Sequence, residues 1–480
     1  TRQSHPPMQF NSWIFPLFFA VVYAAYLGLG PRRFRAQNAL LLAASYLFYG
    51  YWDARFLLLL GVSTVLDFLI GGRLDRTDDE RVRKRLVTLS VVINLGILGF
   101  FKYFDFFIDS TAELLAALGF SVHLPTLQVL LPVGISFYTF QTLSYTIDVY
   151  RRRMPATRDF LGFALFVSFF PQLVAGPIER AARLLPQIEA PREVTASKVQ
   201  AGLWLLVWGY FKKTVIADQA ALVSNPLFGG QWESLHGLEP FVAVLGFTIH
   251  IYCDFSGYSD IARGLAKLMG FEFLLNFRLP YLATGPSDFW LRWHVSLSTW
   301  LRDYLYIPLG GNRGSRLVTY RNMFVVMALG GLWHGAAWPY ILWGSYHGVL
   351  LVMERVWADA RGIDPRRPLS LAGEWTRIVL FWPLMLIGMA VVRCTSVDQF
   401  WHLFTSQSFL LTDRAAAGLW SLAYFTWPLV VVQLFQHATK DLLVPLRLPL
   451  IPRALLFAAL ILGMLVFGVR EPVEFFYFQF

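Results

Sequence analysis

Ten stretches of this chain are each long and apolar enough to cross a bilayer, and that limits its fold more than any other feature. A membrane helix needs about 20 mostly apolar residues. Such runs lie near 12–30, 55–72, 86–103, 126–149, 198–217, 240–257, 321–351, 376–395, 417–436 and 454–470. Shorter or proline-broken runs near 37–51 and 159–178 predict short spans or re-entrant segments. Irregular backbone survives at membrane depth only inside protein or along a wet cavity, and SFFPQLVAGPIERAARLLPQI (168–188) has that character. The chain from 8 to 480 therefore reads as one membrane-embedded, all-α domain with a signature core at about 160–350. Residues 1–7, TRQSHPP, stand ahead of Met8 and read as an added stretch outside the fold. No Lys or Arg separates Met8 from the first apolar run, so the basic n-region of a secretory signal is not expected there and the run is expected to remain as a membrane helix.

Charge supports the same class. Only 15% of the 480 residues are charged, against about 25% in soluble domains. The net charge of +10 does not point to nucleic acid, because the basic residues sit in short clusters between apolar runs. PRRFR (31–35), DERVRKR (79–85) and YRRRMPATR (150–158) follow the first, third and fifth runs. Helices alternate sides, so all three clusters are expected on one face, the cytoplasmic one, with the N-terminus outside and 104–125 as an outer loop. Cys253 and Cys394 lie in or beside apolar runs and offer neither a disulfide framework nor zinc spacing. No inverted repeat of the kind many transporters carry is visible.

Two histidines stand among tryptophans. Wound as a helix of about 100° per residue, 288–305 places Phe289, Trp290, Trp293, Leu297, Trp300, Leu301 and Tyr304 on one face. Asp288, Arg292, Ser296, Ser298, Thr299, Arg302 and Asp303 lie on the other, with His294 at the margin. That describes either a membrane-surface helix or the wall of a polar channel. His334 lies near the middle of 321–351, among Gly330, Gly331, Gly335, Ala336 and Ala337, with Trp333, Trp338 and Trp343 around it. Pro339 should kink or interrupt the helix just after it. An ionisable group at that depth is a functional candidate by default; a structural histidine bonded to a neighbouring helix is the alternative. His347, thirteen residues on, falls on roughly the opposite face and is set aside.

Other motifs carry less. His250 and Asp254 share a helical face, but local spacing fixes no third ligand and there is no HExxH, so no metal is expected. GGNRGS (310–315) does not match a phosphate loop and reads as a tight turn presenting Arg313 and Arg316 to headgroups. No GxSxG elbow is present. Asp254, Asp260, Arg263 and Lys267 are expected to pair with one another.

FFPQLVAGPIERAARLLPQI, CDFSGYSDIARGLAKLMGF, DFWLRWHVSLSTWLRDYLYIPLGGNRGS and GGLWHGAAWPYILWGSYHG, in that order, resemble the membrane-bound O-acyltransferase (MBOAT) family over about residues 12–350. The likeness is greatest to its bacterial branch of alginate O-acetylation and teichoic acid D-alanyl transfer proteins. The resemblance implies a ring of roughly 11–13 transmembrane and re-entrant helices around a funnel or tunnel. It makes His334 the catalytic histidine and His294 its supporting partner, with Trp293, Arg302, Asp303 and Trp333 as expected substrate-binding residues. A base takes the proton of an acceptor hydroxyl as that hydroxyl attacks a thioester; neutral imidazole, with an ordinary pKa of about 6.5, suits the task. His294 would orient the acceptor or His334, or stabilise the oxyanion.

The resemblance further implies a multi-pass protein of the bacterial inner membrane that needs no bound cofactor. Its donor would be acetyl-CoA or another acyl thioester, including one on an acyl carrier. The acetyl group would pass toward an exported polysaccharide, with a separate extracytoplasmic acetyltransferase as partner. D-alanyl transfer, a transporter or channel in which the histidines relay protons, and a scaffold for polymer export remain as rival readings.

Overall fold

The computed structural model describes residues 8–120, 127, 131–174, 176–229, 232–364, 369–469 and 475–476. Residues 1–7 and much of the first part of the 126–149 run lie outside these. Among the described residues the chain is helical, with one isolated bridge between Gly237 and Gln407. Six helices there are long and apolar enough to cross a membrane, or up to seven counting a bent pair. The chain packs as two compact units, Thr1–Gly202 with Ala262–Leu274, and Leu203–Ile261 with Leu275–Phe480.

In the first unit the helix Ile14–Leu29 turns by 101° into Pro31–Asp53. Gly30, at φ +68°, and Pro31 make that corner. The run expected to end at 103 does not stop there. Glu80–Leu98 passes through a wider turn, Gly99–Tyr103, into Phe104–Ala117, giving 38 helical residues. The outer loop expected from 104 is thus helical as far as Ala117.

A polar seam joins three helices of this unit. Asp67, fully buried on Phe56–Asp75, accepts from Ser90 Oγ and from Asn94 Nδ2 (2.8 Å) on the next helix, and from Thr146 Oγ1 (2.8 Å) on Ile135–Tyr150. Ser63 Oγ donates to Asn94 Oδ1 at 2.7 Å. A carboxylate withdrawn from water must be hydrogen-bonded to persist, and these neutral donors supply the bonds while fixing helix register.

The basic clusters meet at one end of the unit, as alternation predicts. The buried Arg83 guanidinium donates to the carbonyls of Val149 (3.2 Å) and Tyr150 (2.6 Å), while Arg152 pairs with Asp78 at 2.8 Å. Arg35, of the first cluster, lines a cleft with Arg153 and Arg158 of the third.

Candidate active site

The second unit carries both histidines, on elements that the sequence pattern describes only in part. The long run 321–351 is a helical hairpin: Arg316–His334 ends at the histidine, and Trp338–Arg361 begins four residues on with Pro339 in its first turn. The interruption expected at Pro339 is present, and it is complete. Gly331 and Gly344 let the two helices touch backbone to backbone. A Cβ on Gly331 would lie 2.9 Å from the Gly344 Cα and still closer to the Tyr340 carbonyl. His334 is thereby held at a helix end, 6% exposed, with its ring edge-on to Trp343 and Trp333 at centroid distances of 5.1 Å each.

The amphipathic helix expected over 288–305 breaks in the middle. Pro286–Arg292 and Val295–Leu301 are separate helices, and a wider turn, Arg302–Tyr306, follows. The break is at His294, whose φ of +44° is left-handed backbone that a β-carbon disfavours. Asn276 secures it. Its carbonyl accepts from Val295 N (2.9 Å), its Oδ1 from Ser296 Oγ (2.9 Å), and its Nδ2 donates to Ser259 Oγ (3.1 Å). His294 is therefore fully buried, in place of the interface margin that a continuous helix would give it.

The break brings His294 to His334, with ring centroids 6.1 Å apart and planes at 68°. Phe255 packs edge-on to His294 at 4.7 Å, and Trp333 lies 6.1 Å from it. A cavity of about 20 Å3 adjoins His334, walled by Trp293, Trp343, Tyr340, Ile251, Met389, Val392 and Phe476. His294 is not part of its wall.

Of the expected substrate-binding residues, Trp293 lines the cavity and Trp333 lies against both histidines. Arg302 and Asp303 do neither; they pair with each other at 2.8 Å, with the Arg302 side chain 58% exposed. His347, set aside in the sequence, is buried behind Trp343, 5.1 Å from that ring and stacked 5.8 Å from Phe289. GGNRGS forms the expected turn, with Gly310 and Gly311 at positive φ, Arg313 and Arg316 exposed, and Asn322 donating to the carbonyls of Leu309 and Gly311 at 3.1 Å each.

Three charges of the 254–267 stretch pair with residues beyond it. Lys213 Nζ, fully buried, reaches Asp254 and Asp218 at 2.8 Å each, Lys212 binds Asp260 at 2.7 Å, and Lys267 binds Glu272 at 2.6 Å. Two lysines inside the apolar run 198–217 were the available signal. Asp254 also accepts the backbone N–H of Phe476 at 2.8 Å, which fixes that residue beside the cavity. With Asp254 so engaged, His250 packs on Phe247 and Phe476.

Fold and site together define a multi-pass membrane protein with a buried histidine pair, one member of which borders a small, tryptophan-walled cavity. A sequence model of the membrane-bound O-acyltransferase family, MBOAT, matches residues 151–396. The chain is 42% identical over 398 residues to a probable alginate O-acetylase AlgI of Pseudomonas aeruginosa, covering 83% of this chain and 74% of that one. It is 36% identical over 378 residues to a peptidoglycan O-acetyltransferase of Helicobacter pylori, covering 72% and 70%. Against a teichoic acid D-alanyltransferase of Bacillus subtilis the identity is 27% over 251 residues, covering 48% and 60%. The chain belongs to the membrane-bound O-acyltransferase family and is an O-acyltransferase. The transporter and scaffold readings give way to an enzyme.

Proposed function

We propose that the chain transfers an acetyl group from a cytoplasmic acyl thioester to a hydroxyl of an exported polysaccharide, from the bacterial inner membrane, with His334 as general base. The observation that carries this is His334 at the wall of the 20 Å3 cavity. That volume is about that of one or two water-sized spheres, room beside the imidazole for a reacting oxygen, while the choice of acetyl rests on the relatives. Relatives at about 40% identity bear the alginate O-acetylase name, and those named for D-alanyl transfer share 27–30% over about half the chain.

In this reading the His334 imidazole removes the hydroxyl proton as that oxygen attacks the thioester carbonyl. The C–O bond forms, the C–S bond breaks, and the proton held on His334 passes to the departing thiolate. Trp293, Trp343 and the aliphatic wall exclude water that would otherwise hydrolyse the thioester. His294, held by the Asn276 latch, acts as a positioning residue through its packing near His334 and Trp333. Acetyl-CoA is the simplest donor and a carrier-bound acetyl thioester the other; an extracytoplasmic acetyltransferase would receive the group or complete its delivery.

The test is the O-acetyl content of exported polymer from cells carrying wild type, His334→Ala or His294→Ala, at equal membrane levels. Loss of acetylation in His334→Ala with polymer still secreted supports the reading. Acetylation that survives that change removes His334 from the chemistry, and loss of secretion itself points to an export role.

A further inference from the structure

A cleft of about 580 Å3 in the first unit lies where the basic clusters meet and shares no residue with the acyl-transfer site. Its volume falls within the range of about 300–1,000 Å3 typical of small-molecule sites. Arg35 and Arg158 line it, as do Asp159 and Glu189. Neither arginine makes an ion pair among the described residues, and neither carboxylate meets a cation there. Glu189 takes only the Thr157 hydroxyl. The third arginine, Arg153, is engaged by Asp148 at 3.6 Å. Two cations and two anions thus line one cleft without pairing across it.

The depth of the cleft is fixed as well. Ala156 N, in the loop that forms one wall, donates to Asp75 at 3.3 Å, and Asp75 is the last residue of the span Phe56–Asp75. The cleft therefore lies at the level where a membrane helix leaves the hydrocarbon, which is the depth of lipid headgroups. Phe34 and Leu185 give it an apolar side as well.

From this we infer that the cleft binds a phospholipid headgroup carrying both a phosphate and a primary ammonium. Arg35 and Arg158 take the phosphate through charge-assisted hydrogen bonds, and Asp159 and Glu189 take the ammonium. A purely anionic headgroup would bring its charge against two carboxylates, and a quaternary ammonium could not donate to them. A zwitterion with N–H donors satisfies all four groups, so the site discriminates by what it would leave unpaired.

The test uses the full chain in detergent micelles, its thermal unfolding followed with added phosphatidylethanolamine, phosphatidylglycerol, phosphatidylcholine or soluble phosphoethanolamine. Phosphatidylethanolamine should raise Tm most. An arginine at a charged lipid surface contributes about 1 kcal/mol, or about fivefold in affinity. Arg35→Gln with Arg158→Gln should therefore remove most of the shift, while Glu189→Gln should abolish only the preference over phosphatidylcholine. Both arginines are exposed, so the variants are expected to fold. A Tm rise with soluble phosphoethanolamine equal to that with the lipid would confirm the headgroup chemistry and assign it to a soluble source. A larger shift with phosphatidylglycerol, or an ethanolamine effect that persists without the two arginines, overturns the inference.

Discussion

His294 and His334 face each other at 6.1 Å between ring centres, yet only His334 borders the cavity. The two are neighbours with unequal access to the cavity, so their removal should not be equivalent. Loss of a general base reduces turnover by about 10²–10⁴-fold, and His334→Ala should fall in that range. His294→Ala should retain more activity, lose it mainly in kcat, and recover part of it with His294→Asn, which still adopts left-handed backbone readily. Single-turnover acetyl transfer by purified variants separates these outcomes; equal loss in both would make the histidines a single catalytic unit.

The Asn276 latch offers an independent handle on the same geometry. Asn276→Ala keeps the carbonyl that receives Val295 N and deletes the side-chain bonds to Ser296 and Ser259. Each lost neutral hydrogen bond in a buried site is worth about 1 kcal/mol. Turnover should fall by more than that stability loss alone explains, because His294 loses its backing. Melting temperature and kcat measured on one preparation decide it.

Lys213 stands between two buried carboxylates. Removing one member of a buried ion pair is destabilising by about 3–5 kcal/mol, since the remaining charge is left uncompensated. Lys213→Met should lower Tm sharply, and adding Asp254→Asn and Asp218→Asn should restore most of it. Failure of the triple variant to recover would show that Lys213 does more than neutralise its partners.

If the acyl group sits beside His334, the cavity wall makes acyl length testable. Met389→Ala removes a flexible wall residue and should raise turnover of propionyl relative to acetyl thioester while acetyl transfer slows. An unchanged ratio would place the acyl group elsewhere.

Gly331→Ala sets a β-carbon against Gly344 and the Tyr340 carbonyl. Overpacking of this kind destabilises by about 1–3 kcal/mol, and it would displace His334 three residues away. Loss of both Tm and activity is expected, whereas Gly96→Ala, on the helix Glu80–Leu98 with open space around it, should leave both intact. Heating curves and acetyl transfer on the two variants provide the comparison.

Much of this was legible as pattern. Long apolar runs identify membrane helices because a bilayer offers the backbone no other partner, and the basic clusters gather at one end as their spacing requires. His334 stands out because small residues and tryptophans around an ionisable group are hard to account for in lipid alone. The break at His294 was not legible. Hydrophobic periodicity continues through 288–305, and a non-glycine residue in left-handed backbone is held by Asn276, eighteen residues earlier, which no local pattern reveals. The partners of Asp254 and Asp260 escaped for the same reason: the lysines lie 41 and 48 residues away, inside a run read as apolar. Phe476 reaches the cavity by a backbone bond to a side chain 222 residues earlier, a contact that sequence spacing cannot encode.

The helical run from Glu80 to Ala117 has a consequence in simple lengths. At 1.5 Å per residue its 38 residues extend about 57 Å, nearly twice the roughly 30 Å of hydrocarbon. Inclined at about 40°, the steep end of what membrane helices adopt, it still measures about 44 Å along the bilayer normal. The charged first turns around Arg81, Lys84 and Arg85 use up part of the excess. The remainder stands proud of the opposite leaflet near Ala117, a rigid post on the side of the bilayer away from the basic first turns.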